Sequence, residues 1–402
     1  MKDCRQTMQV PTPPTLSELK RITPTIYEAC LTCRAKAVWY AIGPYGSLPE
    51  HPAALLGTSF HHIVAEAHRG ALAASTEGVQ TTARRSFDDK ARELYDSSHP
   101  LLKAKFPSVE RLPFYNLFRE RAVVISERIS STRLTTAPRA QGQAAIGRTR
   151  TEPRLVSRDG LISGRPDHID PNECLVVDYK SGYSSHSDGR GITNAEARQL
   201  RLYAYLAIEN GTPVANGRII RSDGQRSDTA ITEEDANQEA EKARSQLTSI
   251  NTVIKSGGTF DDLAAPSTQG CGTCPCIPFC QRFWDAADHT WRDDCGTHLE
   301  GTVLEVAQTQ MQGISLTTIK LSVAKGTVDS TEASIEQVPT HWLSLQGGTA
   351  PQPGDVIRIV QGREAPIGAS PAVIRLDRTT TALWRIAAAV PHSTLSEGIQ
   401  NA

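Results

Sequence analysis

No stretch of the 402-residue chain approaches the roughly 18 uninterrupted apolar residues of a membrane-spanning helix, and the opening MKDCRQTMQVPTPPT lacks the apolar core of a secretion signal. A soluble, cytoplasmic protein without membrane contact is expected. Charge of one sign is also lacking: 43 Lys and Arg stand against 44 Asp and Glu, so contact with a polyanion must come from a local basic surface and not from net charge. No repeat at solenoid period and no low-complexity tract occurs, and there is no Walker A sequence of the GxxxxGK[ST] type. Any motor must therefore be another chain. Cysteine is not scarce, but the count of nine is odd, which disfavours a disulfide framework. Four of the nine, Cys271, Cys274, Cys276 and Cys280, fall within ten residues, a crowding that points to metal ligation. Cys4, Cys30, Cys33, Cys174 and Cys295 are dispersed.

At roughly 150 residues per domain, the length accommodates two or three domains. The proline-rich opening, residues 1–14, reads as a loose arm. Helical spacing of apolar residues predicts helices from Leu55 to about Ala74 and from about Pro107 to Ile129. Residues 130–151 lose that pattern and gain Arg133, Arg139, Arg148 and Arg150, the composition of an exposed basic loop. Strands are predicted over Arg154–Val156, Leu161–Gly164 and Leu175–Lys180, separated by the turn pairs Asp159-Gly160 and Pro171-Asn172. Thr193 followed by Glu196 forms a capping-box pattern opening a helix to about Glu209. A strand at Arg218–Arg221 and a polar helix over Glu233–Lys255 complete an α/β block. Beyond Cys295 come short β-patterned runs, Gly301–Val306, Thr317–Val323, Val356–Val360 and Ala372–Leu376, between Gly and Pro turns. They predict a separate small β domain over 296–390, with a flexible tail at 391–402.

The segment with the most chemistry is Gly164-Arg165-Pro166-Asp167, followed by Leu175-Val176-Val177-Asp178-Tyr179-Lys180. Residues two apart in a strand share a face, so Asp178 and Lys180 emerge together while Val177 and Tyr179 point the other way. If Asp167 converges on them, two hard oxygen donors and a cation make a site suited to Mg²⁺ or Mn²⁺. Such an ion polarises a phosphodiester and acidifies a bound water.

PD, an intervening strand, then DxK resembles the PD-(D/E)XK nuclease superfamily, and GRPDHID with VVDYKSG is particularly similar to its RecB-like branch. Gly57-Thr58-Ser59-Phe60-His61 resembles the G-x-x-x-H helix motif of that branch, whose histidine is an additional metal ligand; His62 and His68 compete for the role. Glu152 matches the acidic residue that commonly opens the first core strand. Gln199 and Tyr203 match the Q-x-x-x-Y helix motif and, four apart, share a helix face. The resemblance implies catalytic roles for Asp167, Asp178, Lys180, Glu152, Gln199 and Tyr203, and metal ligation by His61, Asp167 and Asp178.

Cys271-x2-Cys274-x5-Cys280 resembles the C-terminal cysteine triple of the AddB-like and CRISPR-associated iron-sulfur nucleases of this branch. There the fourth thiolate precedes the nuclease core. Cys33, in Cys33-Arg34-Ala35-Lys36, is the first choice here, with Cys30 or Cys276 as substitutes. Four thiolates are the usual complement of a 4Fe-4S cluster. Zinc is the less favoured occupant, since C-x2-C-x-C-x3-C is crowded for one tetrahedral ion. Joining residues about 240 apart, the cluster would staple a nuclease domain spanning 15–292. The tail's strand pattern looks like an OB-type barrel, with Trp342 and Trp384 as candidate base-stacking residues.

The expected fold is therefore α/β, a PD-(D/E)XK restriction-endonuclease-like core with helical insertions and an iron-sulfur staple, followed by a small all-β, OB-like domain. The expected activity is metal-dependent hydrolysis of DNA, single-stranded or from ends, in repair, recombination or anti-phage defence. The alternative is a non-catalytic DNA-binding scaffold subunit working with a helicase or another defence or repair subunit.

Overall fold

The computed structural model describes residues 13–43, 49–135, 149–182, 191–272, 274–345, 350–376 and 381–387. The tail at 391–402, Arg139, Arg148 and all of the N-terminal arm except Pro13 and Pro14 lie outside them. The chain divides into two compact units, one over Pro13–Ala265 and one from Pro266 onward. The segment Cys271–Cys280 thus belongs with the β domain, whereas the sequence places the boundary near 292–296.

In the first unit, helices α1 (Pro24–Thr32) and α2 (Arg34–Ile42) meet at Cys33, whose extended backbone closes one and opens the other. The helices α3 (Pro52–Arg69), α4 (Val79–Asp96), α5 (Pro100–Lys105) and α6 (Tyr115–Thr135) follow. The expected helix over 55–74 divides because Gly70 takes a left-handed φ of 81°. The one expected from Pro107 starts only at Tyr115, after Phe114 at φ 67°. Phe60, Ile63 and Ala67 of α3, Ala83, Phe87 and Ala91 of α4, and Phe118, Ala122 and Ile125 of α6 recur at three- and four-residue steps, and each triplet is buried in one core.

Next come β1 (Arg150–Thr151), β2 (Leu155–Val156), β3 (Ser163–Gly164), β4 (His168–Asp170), β5 (Leu175–Lys180), α7 (Asn194–Glu209), β6 (Asn216–Arg221), β7 (Arg226–Ala230), α8 (Glu233–Lys255) and α9 (Phe260–Leu263). A five-stranded sheet runs β1-β4-β5-β6-β7, with β2 and β3 forming a separate hairpin. Only β5 and β6 are parallel, because α7 makes the crossover between them; the other pairs are antiparallel. One face of β5, with Leu175, Val177 and Tyr179, packs into the core of α3, α4 and α6. The other face meets α7: a β carbon on Gly217 would lie 3.0 Å from Leu200, and one on Gly164 would lie 2.9 Å from Leu206 and 3.0 Å from Tyr203. This arrangement is the mixed α/β core the sequence predicts.

The second unit opens with α10 (Thr268–Cys271), α11 (Gln281–Ala286) and α12 (Arg292–Cys295). Its strands are β8 (Thr297–Met311), β9 (Ile314–Gly326) and β10 (Glu332–Pro339), then, after α13 (Thr340–Leu345), β11 (Val356–Glu364), β12 (Ala372–Arg375) and β13 (Ala382–Ala387). The order is β12-β10-β9-β8-β11-β13, with β12 also pairing the far end of β11, and β10 and β12 are parallel. Leu299, Ile319, Leu321, Ile335, Ile357 and Ile374 fill its interior. Trp384 is only 6% exposed, and Trp342 packs against the same core, so neither stands out as an open stacking platform. Arg358 bolts the cysteine segment to this unit. Its guanidinium donates to Glu300 Oε2 at 2.8 Å, Pro278 O at 2.8 Å and Gln281 Oε1 at 3.0 Å, and lies over the Trp284 ring at 4.9 Å.

Candidate active site

Asp178 and Lys180 leave β5 on the α7 side of the sheet, as pleat parity requires. Lys180 Nζ lies 2.8 Å from Asp178 Oδ2 and donates to Gln199 Oε1 at 2.7 Å. Gln199 Nε2 donates in turn to Asp178 Oδ1 at 3.0 Å and to the Tyr203 hydroxyl at 3.1 Å. The amide is thereby oriented by both neighbours, its oxygen to the cation and its nitrogen to the carboxylate. Asp167, just ahead of β4, accepts from the Tyr179 backbone N–H at 2.7 Å through Oδ2 and lies 3.1 Å from His61 Nδ1 through Oδ1.

Two structural devices hold these groups in place. The capping box of α7 is present, Thr193 accepting from Glu196 N at 3.2 Å and Glu196 accepting from Thr193 N at 2.9 Å. The same Glu196 carboxylate takes both arms of Arg221 from β6, at 3.0 and 3.1 Å, in a buried pair. Helix α7 is thus pinned over the sheet with Gln199 and Tyr203 facing β5. At α3 the device is a close approach: a β carbon on Gly57 would lie 2.9 Å from Ser181 Oγ, just past Lys180. Glycine lets the helix come near enough for His61, one turn on, to reach Asp167.

Of the competing histidines, His62 pairs with Glu66 at 3.6 Å, and His68 Nε2 sits 2.9 Å from the Tyr179 hydroxyl on the other side of the sheet. Glu152 follows a different course from the other expected residues. Its N–H donates to Asp167 O at 3.0 Å, but its carboxylate is held by Arg69 at 2.7 Å and Arg165 at 2.6 Å. The two arginines, and the Tyr179 N–H that fixes Asp167, are site elements the motif reading does not single out. The N–H is silent because any residue at that position supplies one; Arg165 is visible as the arginine of GRPD.

The electrostatics follow from burial. Desolvation pushes the Asp178 carboxyl up to about 6, against the attraction of Lys180 and with the repulsion of Asp167. Burial disfavours charge on His61, but the hydrogen bond and charge of Asp167 win and hold the imidazole above its ordinary value. Burial, with the charge of Asp178, keeps the Tyr203 phenol neutral.

Among the described residues, no three His, Cys, Asp or Glu side chains are gathered as a ready metal cage. The donor chemistry nevertheless fits a hard divalent cation. Asp178 Oδ2 is buried beside the Lys180 ammonium at 2.8 Å with no other hydrogen-bond partner among the described residues, and Asp167 supplies the second carboxylate. The cysteines lie apart in the chain. Cys33 Sγ accepts from Ala265 N at 3.5 Å in the first unit, while Cys271, Cys274, Cys276 and Cys280 occupy the turns opening the second. Cys30 is buried, and its thiol is pushed up to about 12.

A sheet with one parallel pair, a carboxylate and a lysine on β5 with a second carboxylate just ahead of β4, and a glutamine across them define the class of a metal-dependent nuclease. The family model of the PD-(D/E)XK nuclease superfamily matches residues 21–281, and the chain belongs to that superfamily. No curated protein matches the sequence. The crystal structure of SSO0001 is 17% identical, over 45% of this chain and 82% of its own, with a TM-score of 0.22. Among the described residues, no helix is long and apolar enough to cross a membrane.

Proposed function

We propose that the protein is a metal-dependent deoxyribonuclease that digests single-stranded DNA or DNA ends as an exonuclease. The observation that carries this reading is the pair His61–Asp167 beside the network Asp178–Lys180–Gln199–Tyr203, the two linked through the Tyr179 backbone N–H, which lies between Asp178 and Lys180 in the chain and donates to Asp167. Asp167 and Asp178, with His61 beside them, would hold Mg²⁺ or Mn²⁺, and such an ion polarises the phosphodiester and acidifies a bound water. Lys180, held between Asp178 and Gln199, orients or deprotonates the attacking water. Gln199 and Tyr203 position the lysine, and Glu152 acts through Arg69 and Arg165 as a supporting group.

Cys33, Cys271, Cys274 and Cys280 are proposed as the ligands of a 4Fe-4S cluster, zinc being the second candidate. Cys33 is favoured over Cys30 because the burial that raises the Cys30 thiol works against a thiolate there. The β unit is read as an OB-type barrel, a proposal supported by its strand order and by the parallel β10–β12 pair. We propose further that it works with a helicase or another subunit in repair, recombination or anti-phage defence.

The test is a gel assay of anaerobically purified protein on end-labelled single-stranded and duplex DNA, with Mg²⁺, Mn²⁺ or EDTA, beside Lys180→Ala. Metal-dependent shortening from one end, absent in the variant, is expected. A lack of cleavage in every lane would overturn the reading in favour of the scaffold. Iron and sulfide analysis of the same preparation checks the cluster.

A further inference from the structure

The face of the sheet opposite the catalytic residues carries a half-open cavity of about 520 Å³ that the nuclease chemistry does not use. Strand register explains its lining. Val177 is level with Arg218, Tyr179 with Ile220, and Ile220 with Arg226, so all five share the face away from Asp178 and Lys180. Ile125 and Ile129 of α6 add apolar surface. A flat wall comes from His68 and His168, whose rings stack at 4.0 Å and 17°. Cationic groups complete the lining. Arg218 is already matched by Asp228 at 2.6 and 2.9 Å. Arg128 and Arg226 enter no ion pair among the described residues, and the Arg128 guanidinium lies over Gly224, where a β carbon would overlap it. Of the two carboxylates in the lining, Asp170 accepts from Asn172 N at 2.9 Å, and Glu173 acts on Arg218.

We propose that this cavity binds a mononucleotide, its base against the imidazole pair and the isoleucines and its phosphate on Arg128 and Arg226. A cavity of mixed polar and apolar lining with one flat imidazole wall suits a heteroaromatic ring, and two guanidiniums that enter no ion pair among the described residues suit a phosphomonoester. The ligand would touch Tyr179, whose N–H holds Asp167. The proposal does not depend on the chain being a nuclease.

It is tested by equilibrium dialysis of the full chain in EDTA against dAMP, deoxyadenosine and inorganic phosphate. Saturable dAMP binding, at least tenfold tighter than either fragment, is expected. The exposed pair Arg128→Ala with Arg226→Ser should weaken it at least tenfold, Ile129→Trp should fill the cavity and abolish it, and Asp178→Asn should leave it unchanged. Thermal melts establish that each variant is folded. Absence of saturable dAMP binding, or phosphate binding as tightly as dAMP, would overturn the proposal. So would binding that Asp178→Asn removes and the arginine pair retains, since that pattern assigns the nucleotide to the catalytic face.

Discussion

Asp178 sits at 4% exposure, and its ionisation is opposed by burial and by Asp167 more than it is helped by Lys180. A carboxyl that titrates near 6 in the fold and at 3.8 in the unfolded chain binds its proton more tightly when folded. Stability from that proton is complete below about pH 4, is lost as pH rises toward 6, and stays lost above it. At about 1.4 kcal/mol per pH decade, the cost at pH 8 is about 3 kcal/mol. Asp178→Asn is therefore expected to abolish cleavage yet melt above the wild type at pH 8, with the difference vanishing near pH 4. Calorimetry across that range checks it, and a variant less stable at pH 8 would contradict it. Gln199→Leu keeps the helix residue but removes both oriented contacts, so single-turnover kcat should fall about 10²-fold or more while KM changes little, the scale of one positioned proton-transfer group.

At the scale of elements, α7 is located by charge and α3 by the lack of a side chain. Arg221→Met strands the Glu196 carboxylate against β6 and is expected to cost about 3 kcal/mol or more in urea denaturation. Gly57→Val should push α3 from Ser181 and draw His61 off Asp167, lowering cleavage with little change in melting temperature; rescue by raised Mn²⁺ would identify the loss as one of metal affinity. The sequence made some elements legible and hid others for physical reasons. The buried strand Leu175–Lys180, the box-capped helix to Glu209 and the helix Glu233–Lys255 were readable because burial and caps leave a pattern. Strand β7, Arg226–Ala230, was not, since it alternates intermediate and exposed positions with no large apolar residue to mark a face. Helix α4 buries only Ala83 and Ala91 beside Phe87 and Tyr95, a weak signal. The facing of Asp178 and Lys180 followed from parity alone. The diversion of Glu152 onto two arginines needed the fold, because its backbone sits at φ 49° and turns the side chain in a direction no spacing encodes.

For the whole molecule, binding of a divalent cation should show as stability. A ligand that binds only the folded state adds RT ln(1 + [L]/Kd), so Mn²⁺ at about 100 times its Kd is expected to add about 2.7 kcal/mol. Scanning calorimetry with and without Mn²⁺ reads this as a raised melting temperature in the wild type and none in Asp178→Asn. An equal rise in both would place the ion elsewhere. The division of the chain carries a different consequence. Arg358 ties Pro278, Gln281 and Trp284 into the β unit, so the cysteine segment is physically part of that unit, although the family model reaches Gln281. In the history of such proteins, a lineage that lost or exchanged the β unit would have lost or exchanged Cys271, Cys274, Cys276 and Cys280 in the same event. Cys33, held against Ala265 in the first unit, would stay behind, so inheritance of those four cysteines should track the β unit and not the nuclease core.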